Sequence, residues 1–132
     1  MDISNLSRKE IGALGEKVAA EYLVRRGFTL VDRNIARKTG EIDVILQAPD
    51  TTLHFVEVKT MLCREFPQTG FTRDEYDPSV NLHGAKIRRV ARTAEWYVAE
   101  QEWEGDYQVD GCLVWLRERD GLARVAYLPQ IA

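Results

Sequence analysis

The chain has 132 residues, 45% of them hydrophobic and 30% charged, with a formal net charge of −3. That length suits one domain, residues 1–132, with a single core, and that composition is ordinary for a globular protein rather than a disordered one. The acidic balance argues against a uniformly basic surface, though a local basic patch fits within it, and no apolar run is long enough to span a membrane.

Ser7-Arg8-Lys9-Glu10 has the form of a capping box, so a helix is predicted to start there. Ile11, Leu14, Val18 and Tyr22 recur at helical spacing as its apolar stripe, and Gly27 suits its C-terminal cap. Gly12, Gly15 and Ala19 form a strip of small residues that predicts close approach of another backbone, with Glu16 at its margin. Phe28 to Asn34 reads as a strand, and Arg37-Lys38-Thr39-Gly40 as a turn. Around Glu41 to Leu46 a two-residue period predicts a second strand. Pro49-Asp50 then marks a turn, and Leu53 to Thr60, rich in β-formers, a third strand. The second and third strands should form an antiparallel hairpin.

Residues 61–81 lack a period and read as a long functional loop. A second helix is predicted over Leu82 to Gln101, with Ile87, Val90, Ala91, Ala94 and Val98 facing inward. Val109 to Arg117 and Arg124 to Leu128 read as strands joined by a turn at Asp120-Gly121. The order α-β-β-β-α-β-β predicts an α/β fold, a mixed sheet flanked by helices.

Charged residues interrupt these strands at Asp43, Glu57 and Lys59. Phe55, Glu57 and Lys59 share one strand face, and His54, Val56 and Val58 the other. If the hairpin is in register, Asp43 lies across from Glu57, and two carboxylates that close repel unless a cation stands between them. Mg²⁺ or Mn²⁺ suits that position, with Asp43, Glu57 and the Val58 carbonyl as oxygen donors and Glu16 as a third carboxylate. Lys59 would then orient a water or stabilise phosphoryl charge. Glu-x-Lys by itself is a weak pattern. The plain alternative is an exposed Glu57–Lys59 ion pair with Asp43 as one more solvated charge.

At these residues the chain resembles the YraN family, bacterial proteins related to archaeal Holliday-junction resolvases within the PD-(D/E)XK nuclease superfamily. The resemblance runs through Gly12-Ala13-Leu14-Gly15-Glu16, Ala19, Tyr22-Leu23, Gly27 and Arg33-Asn34. It continues through Gly40-Glu41-Ile42-Asp43 and Phe55-Val56-Glu57-Val58-Lys59-Thr60. It implies a restriction-endonuclease-like core, Asp43, Glu57 and Lys59 as the catalytic triad, and Glu16 as the helix carboxylate of resolvases. DNA, branched or otherwise structured, is the implied partner, and a resolvase would act as a homodimer on a symmetric junction. The chain departs from the family in a Met61–Asn81 loop longer than usual and at two arginine positions. Met61 stands where an arginine is usual, and Gln108-Val109-Asp110 replaces Arg-Phe-Asp. Their loss favours the alternative of a catalytically silent nucleic-acid- or protein-binding module on the same fold.

Lys86, Arg88, Arg89 and Arg92 cluster at the start of the second helix as a candidate phosphate-contacting stripe that Arg33, Arg37 and Lys38 could extend, with a solvated surface as the plain reading. His54 is expected to be a structural histidine. Trp96, Trp103 and Trp115 could stack on bases, but core or edge packing is expected of Trp96 and Trp115, and Trp103, between two glutamates, is a poor candidate for a phosphate-rich groove. Cys63 and Cys112 match no zinc spacing and are expected as reduced thiols. The start, MDISNLSRKE, has no apolar signal core, so a cytoplasmic location is expected.

Overall fold

A computed structural model describes residues 2–68 and 84–132 of the chain. Its elements are α1 (Arg8–Arg25), β1 (Thr29–Arg37), β2 (Gly40–Gln47), β3 (Leu53–Cys63), α2 (Gly84–Glu100), β4 (Tyr107–Arg117) and β5 (Ala123–Leu128). Residues 69–81 of the expected loop and the start of the second helix at Leu82 lie outside the described residues.

The five strands are ordered β1-β2-β3-β4-β5. β3 and β4 are parallel, joined by the crossover that carries α2, and every other neighbouring pair is antiparallel. The protein is therefore an α/β domain with a mixed sheet, as expected of a restriction-endonuclease-like core. The sheet is covered on both sides, so its central strands bury alternate residues on opposite faces rather than exposing one face. Val44, Leu46, Val56, Val58, Cys112 and Val114 pack under α1. Phe55, Ile45 and Val109 pack under Val90, Ala94 and Tyr97 of α2.

Local chemistry fixes the ends of α1. The Ser7 hydroxyl accepts from the Glu10 amide, and the Glu10 carboxylate accepts from the Ser7 amide. At the other end, Gly27 takes φ +100°, and the amides of Gly27 and Phe28 close on the carbonyls of Val24 and Leu23. The buried side of α1 differs from the expected stripe. It runs through Ile11, Gly15, Ala19, Ala20 and Leu23, while Leu14, Val18 and Tyr22 lie at its flanks. Small residues win that central place because they let the helix settle close to the sheet. What Gly15 approaches is the Thr60 side chain rather than a backbone, whereas a side chain at Gly12 would meet nothing.

Other differences have similar causes. β3 continues past Thr60 to Cys63 because β4 offers it a parallel partner along that whole length. Met61 and Cys63 pack against the cluster of Leu113, Trp115, Ala126 and Leu128 instead of starting a loop. Tyr97 joins the inner side of α2, and Trp96, expected to pack, is 58% exposed. Trp115 is in the core, and both cysteines are free thiols. Burial pushes the Cys112 thiol up to about 12. Among the described residues, no helix is long and apolar enough to cross a membrane.

Candidate functional site

The β2–β3 ladder holds from Gln47↔Leu53 to Val44↔Val56 and then stops, while β3 runs on beside β4. The two strands part at Asp43 and Glu57, the next residues in that register. A Asp43 carboxylate oxygen bridges the gap, accepting from the Val58 amide at 2.8 Å. A strand residue turns its N–H and C=O to the same edge. The Val58 carbonyl therefore faces this gap too, where no β2 residue pairs with it.

Two helices complete the site. The close seating of Gly15 on Thr60 sets the next residue, Glu16, beside the gap from the α1 face. Lys86, near the start of α2, reaches in from the other face and forms an ion pair with Glu57. Gly40, at φ +148°, lets the β1–β2 turn lie against Arg89 and Thr93 of α2. Thr93 donates to the Arg89 carbonyl at 2.9 Å, so the hydroxyl of Thr39, 2.7 Å away, must donate to Thr93. This clasp fixes the start of β2, three residues from Asp43.

The electrostatics are those of crowded carboxylates. Glu57 is 2% exposed, and burial together with the Asp43 charge pushes its carboxyl up to about 7, against the pull of Lys86. Burial and Asp43 also raise Glu16, and Arg33 partly offsets them. Asp43 therefore raises both glutamates. Burial would lower Lys86, but its pairing with Glu57 outweighs that and raises it. The alternative of an exposed Glu57–Lys59 pair is thus overturned. Glu57 is sealed, and its cation comes from α2.

Two adjoining depressions share Lys86. One, of about 570 Å³, is lined by Glu16, Val58, Lys59 and Lys86 among others. The second, of about 250 Å³, is lined by Glu41, Asp43, Glu57, Lys86 and Arg89. The sequence-derived residues Glu16, Asp43, Glu57, Val58, Lys59, Lys86 and Arg89 therefore meet in one region. Arg33 stands at its edge, its Nε buried without a hydrogen-bond partner among the described residues. Arg37 and Lys38 are not in these depressions. Arg37 makes a two-point ion pair with Glu100 near the far end of α2, and Lys38 lines a separate hollow beside Trp96.

A second polar cluster escaped the sequence reading. Asp110, fully buried, accepts from His54 Nδ1 and the Tyr127 hydroxyl, each at 2.6 Å, from Gln108 at 2.8 Å and from the Gln130 amide at 2.9 Å. Burial alone would raise its carboxyl, but these four donors hold it below the usual carboxylate range. An ionised Asp110 only accepts, so His54 carries its proton on Nδ1. This bears out His54 as a structural histidine. The available signal was Asp110 itself, an acid inside the apolar run of β4.

Among the described residues, no group of three or more acidic, histidine or cysteine side chains stands as a ready-made metal cage. Mg²⁺ does not need one. It commonly binds through one or two carboxylates, keeps several waters, and takes its remaining oxygens from substrate phosphate. Asp43 and Glu57 are oxygen donors of like charge, held together against repulsion, and the Val58 carbonyl shares their gap. That donor set fits a hard divalent cation.

The sheet order, the two covering helices and the split between β2 and β3 define an α/β domain built on a five-stranded mixed sheet. Comparison with known proteins then gives the family. The sequence model of uncharacterised protein family UPF0102 matches residues 15–114, and the chain belongs to that family, the one its motifs resemble. A UPF0102 protein of Campylobacter lari is 31% identical over 122 residues, covering 92% of this chain and 98% of that one. UPF0102 protein Cj0148c of Campylobacter jejuni is 35% identical over 99 residues, covering 75% and 78%. Among solved structures, Pyrococcus furiosus SfsA in complex with Ca²⁺ aligns over 99% of this chain and 68% of its own, at a TM-score of 0.41 and 14% identity.

Proposed function

We propose that the protein is a metal-dependent endonuclease that hydrolyses DNA phosphodiester bonds, with branched or flapped DNA as its substrate class. The observation that carries this reading is the convergence of Glu16, Asp43 and Glu57, on three different elements, where the β2–β3 ladder opens beside Lys59 and Lys86. Crowded acids of this kind are costly in a purely structural role. Asp43, Glu57 and the Val58 carbonyl would hold Mg²⁺ or Mn²⁺, with Glu16 binding directly or through a water. When bound there, the metal lowers the pKa of a coordinated water and neutralises phosphate charge.

The chain's own residues supply the rest. Lys59, exposed in the larger depression, orients the attacking water and stabilises charge on the phosphoryl oxygens. Lys86, which pairs with Glu57 and lines both depressions, is the cation placed to meet a substrate phosphate. Arg89 lines the same depression as Asp43 and adds a second positive group for the backbone.

The test is purified protein incubated with linear, flapped and four-way DNA in Mg²⁺ or Mn²⁺, beside the Asp43→Asn variant. Cleavage by the native protein alone is expected; equal cleavage by both would assign the activity to a contaminant. One observation favours a silent binding module instead, namely that a lysine already occupies Glu57. Calorimetric titration with Mn²⁺ separates the two readings. Heat that disappears in Asp43→Asn supports the nuclease, and no heat from the native protein supports the silent module.

A further inference from the structure

We propose that Trp96 is a stacking platform for an unpaired base of a nucleic-acid strand whose phosphates follow α2 away from the carboxylates. This rests on the nucleic-acid reading of the carboxylate site. Tryptophan is costly to leave in water, yet Trp96 is 58% exposed, while Trp115 is 7% exposed and Trp103 packs against the core. Trp96 lines a hollow of about 220 Å³ with Arg37, Lys38, Thr39 and Glu100. Its ring is exposed, and Lys38, which makes no ion pair among the described residues, lines the same hollow.

Charge connects this hollow to the carboxylates. From Gly84 to Ala94, α2 carries Lys86, Arg88, Arg89 and Arg92 and no acid, on a chain whose net charge is −3. Lys86, Arg88, Arg89 and Arg92 are exposed. Arg89, Arg92 and Trp96 follow a three-then-four spacing, which puts them along one side of a helix. Four of the chain's 18 basic residues therefore line a path, free of acids as far as Ala94, that begins at Glu57 and ends at an exposed indole. Aromatic faces accept any base by stacking, and the cations alongside follow the backbone. Glu95 and Glu100 bound the far end, so the path stops at Trp96 and does not continue past it.

The helix also sets a length. Ten residues from Lys86 to Trp96 span about 15 Å, or about four nucleotides at duplex spacing. The strand this path fits is a short unpaired segment next to the reacting phosphate, as at a flap or an open junction. A fully paired duplex hides its base faces and gives Trp96 nothing to stack on.

The experiment is a fluorescence titration of the full-length protein with oligo(dT) of two to twelve nucleotides, and with blunt duplex, at low salt and without divalent metal. Native protein, Trp96→Ala and Trp96→Phe are compared, with circular dichroism as the check on folding. Saturable quenching of the native protein is expected from about four nucleotides upward and not with duplex. Trp96→Ala should lose the quenching and bind about 5- to 100-fold more weakly, the range of a single base–aromatic stack, and Trp96→Phe should recover part of the affinity. Quenching that persists in Trp96→Ala, or unchanged affinity, overturns the platform. A native dimer in sedimentation that dissociates in Trp96→Ala would assign the indole to a protein interface instead. Branched-DNA cleavage keeps the two readings apart. Cleavage that is normal in Trp96→Ala, with unchanged oligo(dT) affinity, removes the platform and leaves the nuclease. A native protein that stacks oligo(dT) but cuts nothing removes the nuclease and leaves the platform.

Discussion

Asp110 on β4 and Glu57 on β3 are nearly equal in burial, at 0% and 2% exposure, and opposite in surroundings. Their strands are hydrogen-bonded neighbours, with Asp110 opposite Val56, one residue before Glu57. Asp110 has four donors from four residues, and they hold its carboxyl below the usual range despite burial. Glu57 has Lys86 on one side and a second carboxylate on the other, and its carboxyl rises to about 7. Burial alone therefore does not identify a functional acid. Their partners separate the two: Asp110 is fully bonded within the fold, while Glu57 is crowded by a second carboxylate.

Removing Asp110 should have the largest effect. Asp110→Ala leaves His54, Tyr127 and Gln108 without their acceptor and should cost about 3–5 kcal/mol, read as a lower urea midpoint. Glu57→Gln should cost far less, because it removes a charge that repels Asp43. Similar losses in both variants would erase the contrast.

The pH dependence of stability should separate the two acids next. The Glu57 carboxyl sits near 7 when folded against 4.5 when unfolded, so between these values the folded state holds the extra proton. Its contribution is fully present below about 4.5 and is lost as pH rises toward 7, after which it is flat. Asp110 behaves in the opposite sense. Its folded value is depressed, so its contribution is present above the ordinary carboxylate range and is lost only as the pH falls through that lower value. Urea melts from pH 4 to 8 without metal should show the first slope in the native protein and a flatter one in Glu57→Gln. A slope that survives the substitution belongs to another group.

Two glycines sharpen the seat of Glu16. A Cβ at Gly15 would lie 1.8 Å from the Thr60 hydroxyl, so Gly15→Ala must shift α1 and should cost about 1–3 kcal/mol. A Cβ at Gly12 meets nothing within 4 Å, so Gly12→Ala should gain up to about 1 kcal/mol of helix propensity. Thermal melts of the pair check both signs. The smallest effect is expected at Arg37–Glu100, a half-exposed pair far from either acid. Glu100→Gln should leave the thermal midpoint almost unchanged, because solvent screens the pair.

Much of this was legible beforehand because it is local. Ser7 and Glu10 spell their own capping box, Gly27 its own cap, and alternation at Phe55, Glu57 and Lys59 assigns faces without knowledge of any partner. The Trp96 expectation failed because hydrophobicity predicts burial only on average. The surface that would have to cover an indole belongs to the whole fold.

By itself, then, the sequence determined the elements, their order, and the set of acids and cations that share one region. The tertiary structure decided how those charges are partnered. Lys86 meets Glu57 because the parallel crossover brings the start of α2 over β3. Asp43 reaches the Val58 amide because the β2–β3 ladder ends one residue earlier. Asp110 finds its four donors because β3, β5 and the residues after β5 close around it. Each pairing joins residues far apart in the chain, and no local pattern records such a distance.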